Sequence, residues 1–447
     1  MEIHTIGGYE EVGKNMTAIK IDDDVIICDM GLHLESFIHL TEEEDIHNLD
    51  KNELIRDGAV PDISKIMDWK KNVRIILSTH AHLDHIGAIP FLANEFQADI
   101  LATPFTVEVL RQLLEKDNFQ LKNKIKTINL NSSYKVNENI TVEFINMTHS
   151  TPQTAMIAIH TKYGIIVYAN DFKFDNYPTL GMKANIKRLK ELGKEGNVIV
   201  LICDSTYAYE KKKTPSEAVA KQMLKDVLLG TDSSKKAVIV TTFASHLARL
   251  KSIIHYGEKM GRKVVLMGRS MARYTEAGEK VGIVNFSKEV EIIKYKKQIK
   301  RRLKKITQEG KDKYLLVMTG HQGEPGSTLD GISKEELGFN LEEGDHVVFS
   351  CTVIPSLTNQ RNRHKLEEYL IKKKVRIFKD IHVSGHAARE DLRDLITYVK
   401  PKHIVPAHGE IMMTSALYEL AQEMGYKEHF LHLLHDGARF ELDIKQE

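Results

Sequence analysis

Four side chains that can bind a metal ion lie within six consecutive positions, His80, His82, Asp84 and His85. They come directly after an apolar run, 73–78, that is predicted to be a strand. Because residues two apart in an extended segment project to the same side, His80 and His82 can hold one ion. Asp84 and His85 fall where the chain turns into a predicted helix, so they can serve a second ion. Imidazoles and carboxylates without thiolates suit zinc or manganese in a hydrolytic site rather than a structural one.

Four further candidates each stand at the end of a predicted strand, Asp29, His149, Asp171 and His408. A single residue of this kind is more often a surface group or a satisfied core group than a ligand. Their common placement nevertheless favours one shared site. Asp29 is interpreted either as a ligand or as a carboxylate that orients a ligating histidine.

The order of predicted strands and helices, which must position these residues, changes along the chain. The first 200 residues contain short β-branched runs broken by Gly, Asp and Asn, with fewer helical patterns. From about residue 197 strands and helices alternate, which predicts a parallel sheet over 205–355. Strands are predicted over 16–21, 25–29, 73–78, 140–147, 155–161, 165–169, 375–379, 403–407 and 429–434. Helices are predicted over 86–96, 104–116, 183–193 and 245–260.

The composition excludes several classes of protein. The chain has 447 residues, about three times a typical domain of ~150 residues, so two or three folded units are expected. Its 63 Lys and Arg against 62 Asp and Glu give a net charge of +1, which excludes a globally basic coating protein. Any affinity for nucleic acid must therefore be local, and the densest basic segments are 294–305 and 372–376. Further candidate phosphate or base contacts are Arg249, Arg269, Arg273, Tyr274 and Arg361.

The cysteines and the apolar runs indicate where the protein works. Cys28, Cys203 and Cys351 lie far apart, which argues against a disulfide framework and a thiolate zinc site. The first residues show no signal-peptide pattern, and no apolar run approaches the ~18 residues of a membrane span. We therefore expect a cytoplasmic protein without a membrane partner.

The ordered motifs resemble a known family. Asp29, HAHLDH (80–85), His149 and Asp171 resemble the metallo-β-lactamase fold, and Asp204, His386 and His408 resemble the additional motifs of its β-CASP nucleases. The segments TIGGYEEVGKN, VPDIS, HIGAIPFL, NDFKFD, CDST, TGHQGEPGS and HVSGHA look like the ribonuclease J family, closest to its archaeal members. HxHxDH alone leaves lactonases and glyoxalase-like thioesterases open, but the later motifs narrow the resemblance to nucleic-acid processing.

The resemblance implies an α/β fold, an αββα metallo-β-lactamase sandwich with an inserted α/β β-CASP domain. The first domain is expected over 1–200 and 356–447, and the inserted domain over 205–355. Bacterial members carry a C-terminal domain that is not expected in this sequence, which ends at Glu447. Assembly therefore does not transfer from those members, and a homodimer or a larger homo-oligomer stays open.

The resemblance also implies two divalent metal ions, zinc ahead of manganese. One ion would be held by His80, His82 and His149, the other by Asp84, His85 and His408, with Asp171 bridging. Asp84 would act in catalysis as well as in metal binding. Asp29 would orient a ligating histidine without binding the metal itself. Such a pair of ions would bind a hydroxide that attacks phosphorus.

Other residues are implied to contact the substrate. His386 would contact the scissile phosphate and help protonate the leaving oxygen, and Asp204 would orient its ring. The simpler interpretation is that His386 stabilises a turn and that Asp204 caps a helix. Ser384 and Gly385 match a loop that holds a terminal 5′ phosphate. His321 stands where the bacterial pattern TGSQGEP has serine, so it would either donate to phosphate or close a turn.

The implied function is that of a metal-dependent 5′-to-3′ exoribonuclease acting on 5′-monophosphorylated single-stranded RNA in RNA decay or maturation. One alternative is an endoribonuclease of the cleavage-and-polyadenylation type, which shares the metals and the late histidines. Another is a small-molecule metallohydrolase, although such an enzyme needs no long inserted domain. A non-catalytic RNA-binding relative is disfavoured because no ligand position is missing.

Overall fold

The computed structural model describes residues 1–43, 49–116, 118–354 and 357–442. The chain forms two compact units. The first unit consists of Met1–Asn176, Met182–Thr214 and Gly385–Glu447, and the second of Tyr177–Gly181 and Pro215–Ser384.

The strands follow one another along the described residues, each short and β-branched or apolar. They are β1 (Glu2–Gly7), β2 (Met16–Ile21), β3 (Asp24–Cys28), β4 (Val73–Ser78), β5 (Asp99–Ala102), β6 (Ile125–Thr127), β7 (Ser132–Lys135), β8 (Thr141–Asn146), β9 (Ala155–Thr161), β10 (Gly164–Ala169), β11 (Val198–Asp204), β12 (Val238–Thr241), β13 (Lys263–Met267), β14 (Glu291–Ile293), β15 (Tyr314–Met318), β16 (His346–Phe349), β17 (Arg376–Phe378), β18 (His403–Ala407) and β19 (Ala438–Glu441).

The helices are concentrated between these strands. They are α1 (Leu34–Glu43), α2 (Lys51–Arg56), α3 (Leu83–Ile86), α4 (Ile89–Leu92), α5 (Pro104–Lys116), α6 (Ile186–Glu195), α7 (Glu217–Gly230), α8 (Leu247–Lys259), α9 (Arg269–Lys280), α10 (Lys296–Glu309), α11 (Thr328–Ser333), α12 (Leu357–Lys372), α13 (Arg389–Val399) and α14 (Ile411–Glu423). Short 3-10 helices cover Ile63–Asn72, Ala93–Glu95, Phe286–Lys288, Lys311–Lys313 and Glu428–Phe430. Among the described residues, no helix combines the length and the apolar character that crossing a bilayer requires.

Two sheets form the core of the first unit. One has the strand order β19-β1-β2-β3-β4-β5-β6 and the other β18-β11-β10-β9-β8-β7. The side chains of β9 alternate between two hydrophobic clusters, because Ile157 packs between the two sheets and Met156 packs on the opposite face against α6, α13 and α14. Helices therefore flank packed sheets, and the predicted α/β sandwich is confirmed.

The second unit contains a parallel sheet, as the alternation of strands and helices predicts. Its order is β14-β13-β15-β12-β16-β17, and every neighbouring pair is parallel. Residues 357–384 pack in this unit, because β17 pairs with β16 and Leu366 and Leu370 enter its core. The sequence analysis instead expects this segment in the first domain. The two differ because a short strand in the sequence does not by itself indicate which sheet it extends. The predicted boundary between residues 355 and 356 falls outside the described residues.

Two predicted elements differ from the observed ones. The helix predicted over 86–96 is divided into α3, α4 and a 3-10 turn, and Pro90, which lacks an amide hydrogen, lies in the first turn of α4. The strand predicted over 429–434 is a 3-10 turn followed by a single bridge from Leu431 to Ile404. The chain instead adds β19 at the edge of the first sheet, antiparallel to β1.

Candidate active site

The carboxyl ends of several strands in the first unit carry the candidate ligands. The pairs β3–β4, β10–β11 and β11–β18 are parallel, so their last residues meet at common sheet edges. Asp29, Asp171 and His408 each follow such a strand with a left-handed backbone, at φ values of 58°, 34° and 51°. This conformation costs about 1–3 kcal/mol at a non-glycine residue and persists only where the surroundings impose it. Such strain clusters at functional sites, which supports one here.

Four ligand atoms form a first group. His80 Nε2 and His149 Nε2 lie 3.1 Å and 3.2 Å from His82 Nδ1. Asp171 Oδ2 lies 3.4 Å from His80 Nε2 and 3.3 Å from His149 Nε2. All four atoms are within 4.8 Å of one another, which is the arrangement that one metal ion can occupy.

A second group faces the other oxygen of the same carboxylate. Asp171 Oδ1 lies 3.3 Å from both His85 Nε2 and His408 Nε2. Asp84 Oδ2 lies 3.6 Å from His85 Nε2 and 3.9 Å from His408 Nε2. Asp171 is thus placed between the two groups, with one oxygen toward each.

Three of the imidazoles form hydrogen bonds through Nδ1, so their Nε2 atoms are turned toward the two groups of ligand atoms. Gly385 O and the Asp29 carboxylate can only accept, so His149 and His85 donate their Nδ1–H to them, over 2.8 Å and 2.9 Å. His408 Nδ1 is likewise 2.8 Å from Asn15 Oδ1. In the neutral rings the Nε2 atoms therefore carry lone pairs that point at the two groups.

The donor set fits divalent cations. Asp171 Oδ1 is buried and has no hydrogen-bond partner among the described residues, although Nε2 of His85 and Nε2 of His408 each lie only 3.3 Å away. Oxygen and nitrogen lone pairs in such proximity repel unless a positive charge lies between them. The predicted ligands therefore come together as a cluster compatible with metal binding.

Burial sets the charge of the imidazoles in the first group. It lowers the pKa of His80 to about 4 and that of His82 to about 3, so both rings are neutral near pH 7. In the second group burial also lowers the pKa of His85, but Asp171, Asp84 and Asp29 outweigh it and raise that pKa well above its usual value. The carboxylates thus favour a positive charge at this position, which is what a metal ion provides.

His386 and Asp204 lie beside the cluster as a hydrogen-bonded pair. His386 Nδ1 is 2.9 Å from Asp204 Oδ2, and His386 Nε2 is 3.8 Å from Asp171 Oδ2. Burial lowers the pKa of His386, but Asp171 and Asp204 outweigh it and raise the pKa to about 9. Asp204 Oδ1 meanwhile accepts from the amide and hydroxyl of Thr206. Asp204 therefore both closes a local turn and orients His386. It contacts Nδ1 of the ring, so Nε2 faces Asp171.

The residues implied to hold a terminal phosphate are divided between the units. Gly385 belongs to the first unit, where a Cβ atom would lie 2.9 Å from His149 Cε1, so a side chain has no room. Ser384 and His321 belong to the second unit. The His321 ring lies 4.3 Å from that of Phe243, and its carbonyl accepts from Arg363. The phosphate-binding role of these three residues stays a prediction.

Arg249, a sequence candidate for RNA contact, has a structural role in the second unit. Its side chain is fully buried. Its guanidinium donates to both carboxylate oxygens of Glu217, over 2.6 Å and 2.8 Å, and to the carbonyl of Ser350. With these donors engaged inside the core, Arg249 is not available to a substrate.

Sequence reasoning missed Asn15 and Thr79. The Asn15 side chain donates to Asp84 O over 3.0 Å while its Oδ1 lies 2.8 Å from His408 Nδ1, so it connects two ligands of the second group. Thr79 Oγ1 donates to Asp29 and lies 3.0 Å from His80 Nδ1. Asn15 belongs to a segment that resembles the family, TIGGYEEVGKN, which was the available signal.

Replacing Asn15 by alanine is expected to weaken metal binding about 10–100-fold, because His408 loses the acceptor that fixes its ring. Metal dissociation constants from competition with a chromophoric chelator measure this change. Asn52→Ala, which removes an exposed amide bonded to Asp50, is the matched control and is expected to bind metal normally. Equal affinities of both variants would show that Asn15 does not support the ligands.

Comparisons with known families agree with the fold. Residues 60–191 match the Beta-lactamase superfamily domain, residues 235–366 the Ribonuclease J, beta-CASP domain, and residues 371–431 the Zn-dependent metallo-hydrolase RNA specificity domain. A crystal structure of a protein of unknown function from Enterococcus faecalis V583 covers 99% of both chains with a TM-score of 0.65 at 18% identity. That likeness supports the fold alone. The class is therefore a metallo-β-lactamase-type hydrolase with a β-CASP domain.

Full-length relatives narrow this class to one family. Ribonuclease J of Methanocaldococcus jannaschii is 43% identical over 439 residues, which is 98% of each chain. Ribonuclease J of Pyrococcus abyssi is 43% identical and covers 96% of this chain and 95% of its own length. Ribonuclease J2 of Bacillus subtilis is 30% identical over 98% of this chain and 74% of its own length. This chain belongs to the ribonuclease J family.

Proposed function

We propose that this protein is a metal-dependent ribonuclease that removes nucleotides in the 5′-to-3′ direction from 5′-monophosphorylated single-stranded RNA. The observation that supports it most is the shared carboxylate of Asp171, whose two oxygens face two separate groups of ligand atoms. Membership of the ribonuclease J family and the match to an RNA specificity domain support RNA as the substrate.

Two divalent ions would be held by the residues of the two groups. His80, His82 and His149 would bind the first, Asp84, His85 and His408 the second, and Asp171 both. Zinc suits the five imidazoles best, and manganese is the alternative. When bound, such ions supply an activated water molecule and neutralise the charge that develops on the phosphoryl oxygens.

His386 would supply the proton that the leaving group needs. Attack of water on phosphorus breaks the bond to the 3′ oxygen, and the alkoxide that leaves takes a proton from His386 Nε2. Asp204 accepts the Nδ1–H and holds the ring with Nε2 toward Asp171. The released nucleotide then carries a 3′ hydroxyl, and the shortened RNA begins with a new 5′ phosphate.

The direction of attack rests on the resemblance of the segment HVSGHA to a loop that holds a terminal phosphate. Backbone amides and a serine hydroxyl in such a loop can bind an anion and so select the chain end.

The buried cysteines Cys28, Cys203 and Cys351 are free thiols, which supports a reducing compartment and hence the cytoplasm.

RNAs that differ only at the 5′ end test this proposal. A uniformly labelled strand with a 5′ monophosphate is expected to yield mononucleotides in order from that end. The same strand with a 5′ hydroxyl is expected to react at least about tenfold more slowly, and its circular form is expected to resist. Cleavage of the circle into internal fragments would instead indicate an endoribonuclease of the cleavage-and-polyadenylation type.

A further inference from the structure

Helix α10 of the second unit exposes an unusual number of cations. Six of its side chains are basic and exposed, and we name them the basic stripe: Lys296, Lys297, Lys300, Arg301, Lys304 and Lys305. They account for most of the basic segment 294–305 that stands out in the sequence. The proposed chemistry of the first unit uses none of them.

Helical geometry places the basic stripe on one half of α10. Successive residues of a helix are rotated by about 100°, so the six positions cover roughly 180° of its circumference. Ile299, Leu303 and Ile306 cover the opposite side and are buried in the core of the second unit. The helix is therefore held by its apolar side, and the basic stripe faces solvent.

Among the described residues, the cations of the basic stripe make few interactions with carboxylates, the exception being Lys305, which acts electrostatically on Glu309 one turn further along α10. Nearby cations are paired, because Arg302 contacts Glu291 and Glu309 and Lys294 contacts Glu276. Over the described ranges, no ion pair joins a carboxylate to any residue of the basic stripe.

The arrangement works against the stability of the helix. Like charges four residues apart, as at Lys296 and Lys300 or at Lys297 and Arg301, repel one another. Lys296 and Lys297 also lie in the first turn, where the helix dipole disfavours cations. Folding alone does not account for such a pattern, so a ligand of opposite charge is the simplest explanation.

We propose that the basic stripe, together with Tyr295, binds the phosphate backbone of the single-stranded RNA substrate outside the metal-binding cluster. Repeated cations along a helix complement the repeated charges of a polyanion, and the net charge of +1 leaves that attraction to local clusters. Tyr295 precedes α10 and is 55% exposed. Its ring offers a face on which a base of any identity can stack. This inference rests on RNA being the substrate, as proposed above.

Salt dependence of RNA binding tests the proposal. The variant combines Lys297→Gln, Arg301→Gln and Lys305→Gln, and the ligand is a 30-nucleotide single strand with phosphorothioate linkages, which slow its hydrolysis. The logarithm of the association constant decreases linearly with the logarithm of the salt concentration. We expect this line to become less steep by about 0.7 per cation removed, or about 2 in all. Affinity at low salt is expected to fall at least about tenfold. Tyr295→Ala is expected to lower the affinity at least about fivefold without changing the slope.

A charge-matched variant serves as the control. Lys225→Gln, Lys235→Gln and Lys251→Gln change three exposed lysines of the same unit, none of them in an ion pair within the described part of the chain. This variant is expected to keep the slope of the unmodified protein. An unchanged slope in the stripe variant, or an equal loss in the control, would overturn the proposal. Thermal unfolding verifies that each variant is folded.

Short substrates separate this inference from the proposed function. Hydrolysis of a 5′-monophosphorylated dinucleotide is expected to proceed at the same rate in the stripe variant, because so short a substrate does not need a second surface. A lower rate would place the basic stripe in the catalytic machinery and contradict the inference. If the unmodified protein fails to hydrolyse a long 5′-monophosphorylated strand, the proposed function fails, whereas the slope measurement still decides whether the basic stripe binds RNA.

Discussion

Asp171→Asn is expected to lower kcat/KM on RNA at least about 10⁴-fold, which corresponds to roughly 5.5 kcal/mol of transition-state stabilisation. Both groups of ligand atoms converge on this carboxylate, at 3.3–3.4 Å from His80, His149, His85 and His408. Removing its charge therefore weakens both sites at once. Asparagine keeps the shape and tolerates the left-handed backbone, so the loss reports on charge rather than on folding.

Metal content and steady-state kinetics measured on the same preparation check this expectation. The variant is expected to hold less metal than the unmodified protein at equal free metal. Asp232→Asn removes an exposed carboxylate of the second unit and is expected to change neither quantity. Full activity of Asp171→Asn would show that the two groups of ligands do not act through a shared carboxylate.

His386→Ala is expected to lower kcat about 10²–10⁴-fold, the usual contribution of a general acid. Its ring lies beside the cluster but belongs to neither group of proposed ligands, so metal content is expected to stay unchanged. Asp204→Asn is expected to produce a smaller loss, because asparagine keeps an oxygen that can accept from Thr206 and the variant changes mainly the orientation and charge of His386. The two residues act as one unit, so the double variant is expected to be no slower than His386→Ala.

Single-turnover rates on 5′-monophosphorylated RNA, together with metal analysis, separate a catalytic effect from a loss of metal. His364→Ala, an exposed histidine in α12, is the matched control and is expected to retain the normal rate. An unaltered rate in His386→Ala would remove the acid role. A loss of metal from that variant would instead make His386 part of the metal site.

Much of the site was predictable because its residues follow strands. The apolar runs before His80, Asp171 and His408 define strands, and the parallel pairs bring the strand ends together, so placement alone suggests a shared site. The choice among the candidates needed the family resemblance, since a histidine at a strand end is common. The structure brings these residues together in a His and Asp cluster that is compatible with metal binding, and the number of ions stays a prediction.

Other features could not be derived from local pattern. Asn15 supports His408 from 393 positions away along the chain, and an asparagine after a glycine and a lysine reads simply as a turn. The pairing of β17 with β16 is also non-local, so neither the sequence pattern nor the family resemblance places the segment 357–384 in the second unit, where it packs. Pro90 within the predicted helix 86–96 was a visible local signal, and the division of that helix follows from it.

Titration of metal-depleted protein with zinc, and separately with manganese, tests the central claim most directly. Bound metal per chain, measured by native mass spectrometry, is followed alongside the rate of hydrolysis of 5′-monophosphorylated RNA. We predict that hydrolysis rises with occupancy and reaches its maximum at two ions per chain. Full hydrolysis with fewer than one ion bound, or binding of two ions without any hydrolysis, would contradict the account.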